Sequence, residues 1–512
     1  MIAAFYSMTV IGLEAYEVRI EVFLSPGLPR TTIVGLPDKA VSESKDRVYS
    51  AISNSGFAYP RKKATVNLSP GDVRKEGPLY DLPIAVTLLA AAEEIAPTNQ
   101  KKFYIVGELS LDGIVRRVDG ILPMAMEAAK REGAALILPA GNADEAALAG
   151  DVELYPVETL CDAIRAVTGM TPPMQKKDRR SIFNPMFEYK EDFSDVKGQK
   201  CSKRAMEIAA CGNHNILMIG PPGSGKTMLS KRLPSILPPL SFEEALEVTR
   251  IYSVKGGLPP GSPIISERPF RSPHHSLSYA GLIGGGGNPS PGEISFAHRG
   301  VLFLDELPEF GRTILEMLRQ PLEDGEVTIA RVKGTVTYPA SFMLVAAMNP
   351  CPCGYHGDPR RKCECSPNEV KRYMSRISGP ILDRIDIHVE AARPSGDDLA
   401  SKSAGEETSE VIRERVVACR EFQKRRFADG ERFTTNSRLP PALIQAHCKT
   451  TPKAAKLLLC MMNRMGFTAR SYGRILKLSR TIADMKQKET IGEEEIAEAV
   501  QYRSLDREKY FN

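Results

Sequence analysis

The sequence predicts an α/β protein with three domains: an N-terminal α+β domain, a central α/β domain with a parallel sheet, and an all-α C-terminal domain. Short β-rich runs alternate with helical runs through about the first 170 residues. A glycine-rich loop then joins an apolar run to a helical run, and helical spacing dominates from Glu410 onward. The length of 512 residues fits roughly three domains of ordinary size.

Periodicity predicts the individual elements of the two outer domains. Val18-Arg-Ile-Glu-Val-Phe and Ala64-Thr-Val-Asn-Leu alternate apolar and polar residues, which is typical of half-buried strands. Residues 82–94 and 122–132 show helical spacing, and the second of these segments ends at Gly133. The same spacing predicts helices in the C-terminal part at 410–427, 442–447, 454–465, 469–486 and 492–502.

Two polar segments mark the predicted domain boundaries. Residues 171–194 lack periodicity and are rich in Pro, Lys and Arg, which favours a linker. A second break begins at Arg393-Pro-Ser-Gly-Asp-Asp and continues through a stretch rich in Ser, Gly and Glu. We therefore predict domains at residues 1–170, 195–392 and 393–512.

Composition limits the class of protein. Hydrophobic content of 42% and charged content of 26% are ordinary for a globular protein. The net charge of +5 permits a nucleic-acid partner only where basic residues cluster. The longest apolar run, 84–92, is too short to cross a bilayer, and the N-terminus lacks an export signal. We expect a cytoplasmic protein without a membrane partner, whose ten cysteines are no disulfide scaffold.

The glycine-rich loop is Gly220-Pro-Pro-Gly-Ser-Gly-Lys-Thr227. It follows the apolar run 215–219 and precedes a helical run, which is the context of a phosphate-binding P-loop. Its backbone N–H groups would surround a β-phosphate, Lys226 would reach the β- and γ-phosphates, and Thr227 would ligate Mg²⁺. The predicted ATP contacts are Gly220, Pro221, Pro222, Gly223, Ser224, Gly225, Lys226, Thr227 and Met228. The alternative is a glycine-rich turn without a ligand.

A second motif supports nucleotide hydrolysis. Val301-Leu-Phe-Leu-Asp-Glu306 is an apolar strand that ends in two adjacent carboxylates. Asp305 would hold Mg²⁺ through water, and Glu306 would orient and deprotonate the attacking water. A solvated turn is the weaker alternative, because four apolar residues bury the strand and direct its end at a site. The two motifs predict a nucleoside triphosphatase.

Five further segments carry a family resemblance: Asp195-Val-Lys-Gly-Gln199, Phe270-Arg-Ser-Pro-His-His275, Pro291-Gly-Glu-Ile-Ser295, Ala346-Ala-Met-Asn-Pro-Cys-Pro-Cys-Gly354 and Leu382-Asp-Arg-Ile-Asp386. With the two motifs, they resemble the magnesium-chelatase-like YifB/ComM family of AAA+ ATPases over nearly the whole chain. The resemblance implies a P-loop AAA+ domain with a C-terminal helical lid, assembled as a homo-oligomeric ring, usually a hexamer, with ATP between subunits. Some members are implicated in DNA branch migration during natural transformation.

Several residues are candidates for completing the ATP site. Asn349 follows the apolar run 342–348 and would bridge the γ-phosphate and the attacking water as sensor 1, unless it only caps a turn. Arg384 would act on a neighbouring subunit as an arginine finger, with local pairing as the alternative and Arg376 as the second candidate.

The lid and the adenine pocket supply the remaining candidates. Arg470 and Arg474 lie four residues apart on one helix face. Either would touch the γ-phosphate from the lid as sensor 2, and the resemblance favours Arg470. Val196 and Gly198 would line the adenine pocket through their backbones.

A hairpin and an insert point to the substrate. Residues 326–338 form two β-branched runs around a Val-Lys-Gly turn, with Arg331 and Lys333 near the tip. In related helicases such a hairpin faces the central pore, so these cations would contact single-stranded or branched DNA. An ordinary solvated hairpin end would carry the same residues. The Gly- and Pro-rich stretch 256–299 resembles the helix-2 insert of chelatase-like members.

Four cysteines lie close together in the sequence, immediately after Asn349. Cys351-Pro-Cys353 and Cys363-Glu-Cys365 form two C-x-C pairs. Four thiolates at this spacing suit tetrahedral Zn²⁺, although C-x-x-C is the commoner spacing. Reduced free thiols are the alternative.

The N-terminal domain resembles the Lon-protease-like domain that is also found in the RadA branch-migration protein. The resemblance rests on Glu76-Gly-Pro-Leu-Tyr-Asp-Leu-Pro83 and Val106-Gly-Glu-Leu-Ser-Leu-Asp-Gly-Ile114. Leu79 occupies the position of the nucleophilic serine, and Met124 stands near that of the lysine base. Without nucleophile and base there is no acyl chemistry, so we predict a domain that lacks protease activity.

Two functions remain open at this point. The leading hypothesis is an ATP-driven DNA helicase or branch-migration motor. The alternative is a chelatase-type ATPase that remodels a protein partner complex.

Overall fold

A seven-stranded mixed sheet forms the N-terminal part of the computed structural model, which describes residues 1–98, 101–184, 189–286, 289–331, 334–393, 406–427, 435–465 and 467–503. Its elements are β1 (Ile2–Ile11), β2 (Glu14–Ser25), β3 (Arg30–Val34), α1 (Lys39–Asn54), β4 (Lys63–Ser69), α2 (Asp81–Ala91), β5 (Lys102–Ile105), β6 (Glu108–Leu109), β7 (Val115–Arg116), α3 (Ile121–Ala129), β8 (Ala134–Pro139), α4 (Ala143–Ala147), β9 (Glu153–Val157) and α5 (Leu160–Val167). The strand order is β3-β4-β2-β1-β5-β8-β9.

The predicted strands and helices of this part are present, but both helices end early, and α3 ends at Ala129, short of the predicted Glu132. In β2, Val18, Ile20 and Val22 are fully buried, as the alternating pattern predicts. Helix α2 ends at Ala91, short of the predicted Glu94. The reason is that Glu93 adopts a left-handed backbone with φ of 61°, which a continuing helix cannot contain.

The central part contains a five-stranded parallel sheet. Its elements are α6 (Lys200–Gly212), β10 (Ile216–Ile219), α7 (Lys226–Ile236), α8 (Phe242–Val254), β11 (Phe270–Arg271), α9 (Tyr279–Ile283), β12 (Gly284–Gly285), β13 (Ser290–Pro291), α10 (Glu293–Phe296), β14 (Val301–Leu304), α11 (Arg312–Met317), α12 (Arg319–Asp324), β15 (Glu326–Arg331), β16 (Gly334–Pro339), β17 (Met343–Met348), α13 (Pro367–Met374), α14 (Gly379–Leu382) and β18 (Ile387–Glu390).

The order of this sheet, β11-β14-β17-β10-β18, determines where the site forms. Every residue of β10, β14 and β17 is buried, which explains why each strand is an unbroken apolar run. Because the strands are parallel, their carboxyl ends share one edge. Gly220, Asp305 and Asn349 therefore come to the same side of the molecule.

Helices make up the C-terminal part: α15 (Ser409–Lys424), α16 (Ile444–His447), α17 (Pro452–Met465), α18 (Ala469–Met485) and α19 (Glu493–Gln501). Apolar residues of these helices join α6, α7 and one face of the parallel sheet in a single core. The opposite face is covered by the segments around α9, α11 and the β15–β16 hairpin. The α/β architecture predicted for the chain, with its parallel sheet and helical C-terminal part, is confirmed.

Polar contacts join the helical part to the amino edge of the sheet. The imidazole of His214, directly before β10, contacts Asp386 at 3.0 Å and Thr481 at 2.8 Å. The guanidinium of Arg474 donates to Asp386 at 2.7 Å. These contacts hold α18 at the edge of the sheet that lies opposite the P-loop.

The N-terminal part packs on the central part through α8 and the β15–β16 hairpin. Ser253 donates to the buried carboxylate of Glu145 at 2.6 Å, and Arg250 donates to the carbonyl of Leu13 at 2.6 Å. A Cβ added at Gly12 would lie 2.4 Å from Val336, so the β1–β2 turn closely contacts the hairpin. Within the described ranges, no helix combines the length and apolar character needed to span a membrane.

Candidate nucleotide-binding site

The P-loop lines an open pocket at the carboxyl edge of the parallel sheet. The pocket has a volume of about 370 Å³ and is lined by Pro222, Gly223, Ser224, Gly225, Lys226, Thr227, Met228, Asp305, Glu306, Met348 and Asn349. Gly220 and Pro221 lie behind it and line a neighbouring cavity of about 250 Å³. The structure thus brings residues 222–228 together with the ends of β14 and β17.

Lys226 is the buried cation of this pocket. Its ammonium donates to the carbonyls of Gly220 at 2.7 Å and Pro221 at 3.1 Å and to the amide oxygen of Asn349 at 3.3 Å. Burial lowers the pKa of Lys226, while Asp305 and Glu306 oppose that shift. Lys226 and Asn349, which are distant in sequence, therefore meet where a terminal phosphate would bind.

Thr227 and Asp305 provide oxygen ligands that suit Mg²⁺. The hydroxyl of Thr227 donates to a carboxylate oxygen of Asp305 at 2.6 Å, and the other oxygen accepts from the backbone N–H of Glu306 at 2.9 Å. Hydroxyl and carboxylate oxygens are the ligands that Mg²⁺ prefers, and this pair lies directly beside the P-loop. The donor set fits the ion that sequence analysis assigned to it.

Glu306 projects into solvent at the mouth of the pocket. It adopts a left-handed backbone with φ of 52°, and its side chain is 57% exposed. A ring nitrogen of His275 lies 3.6 Å from its carboxylate. His275 belongs to one of the family signatures in the sequence, but no local pattern there links it to Glu306.

The segment before α6 contacts the P-loop and the C-terminal part. Val196 is buried, and the backbone N–H of Gly198 donates to Glu406 at 2.8 Å. The side-chain amide of Gln199 donates to the carbonyl of Ser224 at 2.6 Å. Glu406 and the Gln199 side chain were missed by sequence analysis, since both contacts are long-range.

The structure does not bring Arg470 or Arg474 to the pocket of the same chain. Arg474 binds Asp386, and the exposed Arg470 lies 3.6 Å from Asp383. Both carboxylates precede β18 and therefore lie at the amino edge of the sheet, opposite the P-loop. A sensor 2 contact from the lid of the same subunit is thus absent from this arrangement.

The two candidate fingers also occupy distinct positions. Arg384 is only 8% exposed and binds the carboxylate of Glu323, while it donates to the carbonyl of Pro380 at 2.7 Å. This matches the local pairing that sequence analysis left open. Arg376 is half-exposed and donates to Glu309 at 2.7 Å, close to the Glu306 of its own chain.

The β15–β16 hairpin presents one of the two predicted DNA contacts. Arg331 is exposed, and its guanidinium has a 3.4 Å contact with the carbonyl of Ala330. It forms no salt bridge with any residue in the described ranges. Lys333 lies outside the residues that the structure describes.

The sulfur atoms of Cys351, Cys353, Cys363 and Cys365 all lie within 4.8 Å of one another. The sulfurs of Cys351, Cys353 and Cys363 are separated by 3.3, 3.5 and 3.6 Å. Tetrahedral Zn²⁺ with Zn–S bonds of about 2.3 Å would separate its sulfurs by about 3.8 Å. The geometry fits the predicted metal.

Comparison with known proteins agrees with this site. The family model of magnesium chelatase subunit ChlI matches residues 192–399, a second model of subunit ChlI of Mg-chelatase matches 20–142, and a model of the ChlI C-terminal part matches 406–503. Competence protein ComM of Haemophilus influenzae is 43% identical over 511 residues, covering 99% of this chain and 98% of that relative. The chain belongs to the magnesium-chelatase-like YifB/ComM family. As a member of this AAA+ family it is an ATPase, and ATP with Mg²⁺ fits the pocket.

Two further relatives match only part of this chain. Lon protease 2 of Bacillus subtilis is 29% identical over 170 residues, covering 30% of this chain and 29% of the relative. DNA repair protein RadA of Bacillus subtilis is 28% identical over 161 residues, covering 31% and 34%. The Lon-like character expected for the N-terminal part of the chain is thereby supported.

Two apolar residues occupy the positions at which the sequence predicts that protease chemistry is lost. Leu79 and Met124, the two positions at which the sequence predicts that the serine and the lysine base of a Lon protease are missing, are both apolar and pack in the same cluster. Neither side chain offers a nucleophile or a base. Sequence analysis therefore predicts an N-terminal domain without peptidase chemistry, and the packing gives the two positions a role in the core.

Proposed function

We propose that this chain forms a homo-oligomeric, ATP-driven ring that moves along single-stranded or branched DNA as a helicase or branch-migration motor. The family resemblance implies that the ring is a hexamer. The observation that carries the proposal is the position of the β15–β16 hairpin. It is inserted between β14, which is followed by Asp305 and Glu306, and β17, which is followed by Asn349. A conformational change at the carboxyl edge of the sheet, where the phosphates would bind, would therefore be transmitted directly to the exposed Arg331 on the hairpin.

Hydrolysis would proceed through the residues at the carboxyl edge of the sheet. Lys226 would bind the terminal phosphates, and Thr227 and Asp305 would hold Mg²⁺, which neutralises phosphate charge when bound. Glu306 would accept a proton from the attacking water, and Asn349 would orient that water. The exposed carboxylate of Glu306 and the contact between Lys226 and Asn349 support these roles.

A ring explains the arginines that lie away from the pocket. Arg470 and Arg384 are at the amino edge of the sheet, so each could reach a nucleotide only in another subunit. We propose that Arg470 supplies sensor 2 across the interface. Arg384 would exchange Glu323 for the neighbouring γ-phosphate as the arginine finger.

The DNA-binding part of the proposal rests on two adjacent hairpins. A Cβ added at Gly284 would lie 2.8 Å from Ile329, and one at Gly285 would lie 3.2 Å from the guanidinium of Arg331. The insert and the β15–β16 hairpin therefore form one surface that carries an exposed cation with no salt bridge to any described residue. The similarity to RadA, whose name describes DNA repair, favours the same substrate.

Remodelling of a protein partner is the second candidate. It is favoured by the family models, which describe a magnesium chelatase subunit. The two candidates differ in whether DNA stimulates the ATPase.

ATP hydrolysis with and without forked DNA tests the proposal. We expect Arg331→Ala to keep the basal rate and to lose DNA stimulation, because one phosphate contact is removed at a distance from the ATP pocket. Loss of one such contact should also lower, by about 1, the magnitude of the slope of log K for DNA binding against log salt concentration. Arg331→Lys should retain stimulation, and Thr335→Ala, on the paired strand, controls for disturbance of the hairpin. Unaltered stimulation in Arg331→Ala would favour the remodelling candidate.

We also propose that the four cysteines hold one structural Zn²⁺. The backbone N–H groups of His356, Cys353 and Cys365 point at sulfur atoms, at 3.3, 3.4 and 3.4 Å. Such hydrogen bonds orient thiolate ligands around a metal. This arrangement favours a metal over four free thiols.

A further inference from the structure

The cysteine loop, residues 350–366, joins β17 to α13 and contacts the P-loop directly. Gly354 lies between the first cysteine pair and the nucleotide pocket. It has a φ of 85°, and an added Cβ would lie 2.6 Å from the ring of Pro222 and 3.8 Å from the amide carbon of Asn349. The turn that carries Cys351 and Cys353 is therefore packed against two parts of the ATP site.

Arg393 provides a second link between the cysteine loop and the P-loop. It donates to the carbonyl of Pro222 at 3.2 Å and lies 3.9 Å from the carboxylate of Asp358. Its guanidinium also lies 5.2 Å from the ring centroid of Tyr355. Gly354 of the loop and Arg393, which contacts the loop, thus both converge on Pro222.

The fold of the loop depends on the cysteine cluster. Residues 350–366 contain no helix or strand, and the four sulfurs bring the two ends of the loop together. A bound metal would fix a segment that has no ladder of backbone hydrogen bonds to hold it. Pro222 and Asn349 pack against this same segment.

We propose that the metal-bound cysteine loop is a positioning element of the ATPase: Zn²⁺ at the four cysteines holds Gly354 and Arg393 against Pro222 and thereby sets the spacing of Lys226 and Asn349. The inference rests on the proposed zinc site and on the ATP-binding roles given above. Metal occupancy then controls the rate of hydrolysis. A displacement of about 1 Å at such a site can lower the rate by about 100-fold.

Cys363→Ser tests the role of the metal. We expect this variant to lose Zn²⁺, measured by metal analysis, and to show a kcat lowered by about tenfold or more per folded subunit. Cys460→Ser, which removes an exposed cysteine on α17, is the matched control and should retain both metal and kcat. Thermal unfolding and the amount of bound ATP analogue measure the folded fraction of the protein. If the substitution only unfolds some of the subunits, the number of active subunits falls while kcat per folded subunit stays the same.

Gly354→Ala tests the contact itself. The added methyl group would collide with Pro222, so we expect Zn²⁺ to stay bound while kcat or KM changes by about tenfold or more. Gly357→Ala is the control, since Gly357 has a similar φ of 77° but open space around its Cβ. If Gly354→Ala itself loses Zn²⁺, the kinetics of Cys363→Ser decide the question.

The outcomes separate this inference from the proposals beneath it. Wild-type protein without metal and with four titratable thiols would refute the zinc site. Metal-loaded wild-type protein without ATPase activity would refute the ATP-site roles. Normal kinetics in both Cys363→Ser and Gly354→Ala, with an active zinc-bound wild type, would overturn the positioning role alone.

Discussion

Lys226→Ala is expected to lose ATP binding, and Glu306→Gln is expected to retain binding while losing turnover. Lys226 is the buried cation at the centre of the pocket and contacts Asn349 at 3.3 Å. Removing its charge-assisted hydrogen bonds should weaken the binding of ATP by about 2–3 kcal/mol, which is roughly 100-fold in affinity. Calorimetric titration with Mg-ATP measures the change. Wild-type affinity in this variant would contradict the assignment of the loop.

Glu306→Gln removes the proposed base but keeps its shape. Turnover should fall by about 10²–10⁴-fold, because general base catalysis contributes that much, while calorimetry should show normal affinity. Glu309→Gln, a nearby carboxylate that pairs with Arg376, is the matched control and should retain most turnover. If Glu306→Gln turned over like the wild type, another group would have to be the base.

Arg384→Ala is expected to bind ATP and to lose hydrolysis, and mixing it with Lys226→Ala subunits should restore part of the activity. The reason is that Arg384 lies at the edge of the sheet opposite its own P-loop, so each variant supplies the half-site that the other lacks. An arginine finger contributes roughly 10³–10⁵ in rate. Arg470→Ala should show the same complementation.

Glu323→Gln separates the finger from a structural role of Arg384. The variant weakens the ion pair but keeps the arginine. A finger role predicts that Glu323→Gln hydrolyses ATP far better than Arg384→Ala. Equal losses in both variants, without complementation by Lys226→Ala, would return Arg384 to a local structural role.

The sequence was sufficient to predict the pocket because its parts are the ends of apolar strands. The runs before Gly220, Asp305 and Asn349 predict parallel strands, and parallel strands place their carboxyl ends together. The cysteine cluster was predictable for a similar reason, since its ligands lie within one short segment. Their roles remain predictions until variants are measured.

Contacts between distant segments could not be predicted in this way. The pairing of Arg384 with Glu323, the contact of Gly198 with Glu406 and the packing of Gly354 on Pro222 leave no local pattern in the sequence. The position of Arg470 depended on how α18 packs, which helical periodicity does not specify. That periodicity predicted the helix but could not show that it lies opposite the P-loop.

Electron microscopy of Glu306→Gln with ATP and forked DNA tests the central claim most directly. The slow variant should hold the nucleotide-bound state long enough to be imaged. We expect a hexameric ring with DNA in its channel, the Arg331 hairpins facing the DNA, and Arg470 of each subunit at the nucleotide of its neighbour. Single subunits, or a ring whose channel excludes DNA while ATP is bound, would contradict it.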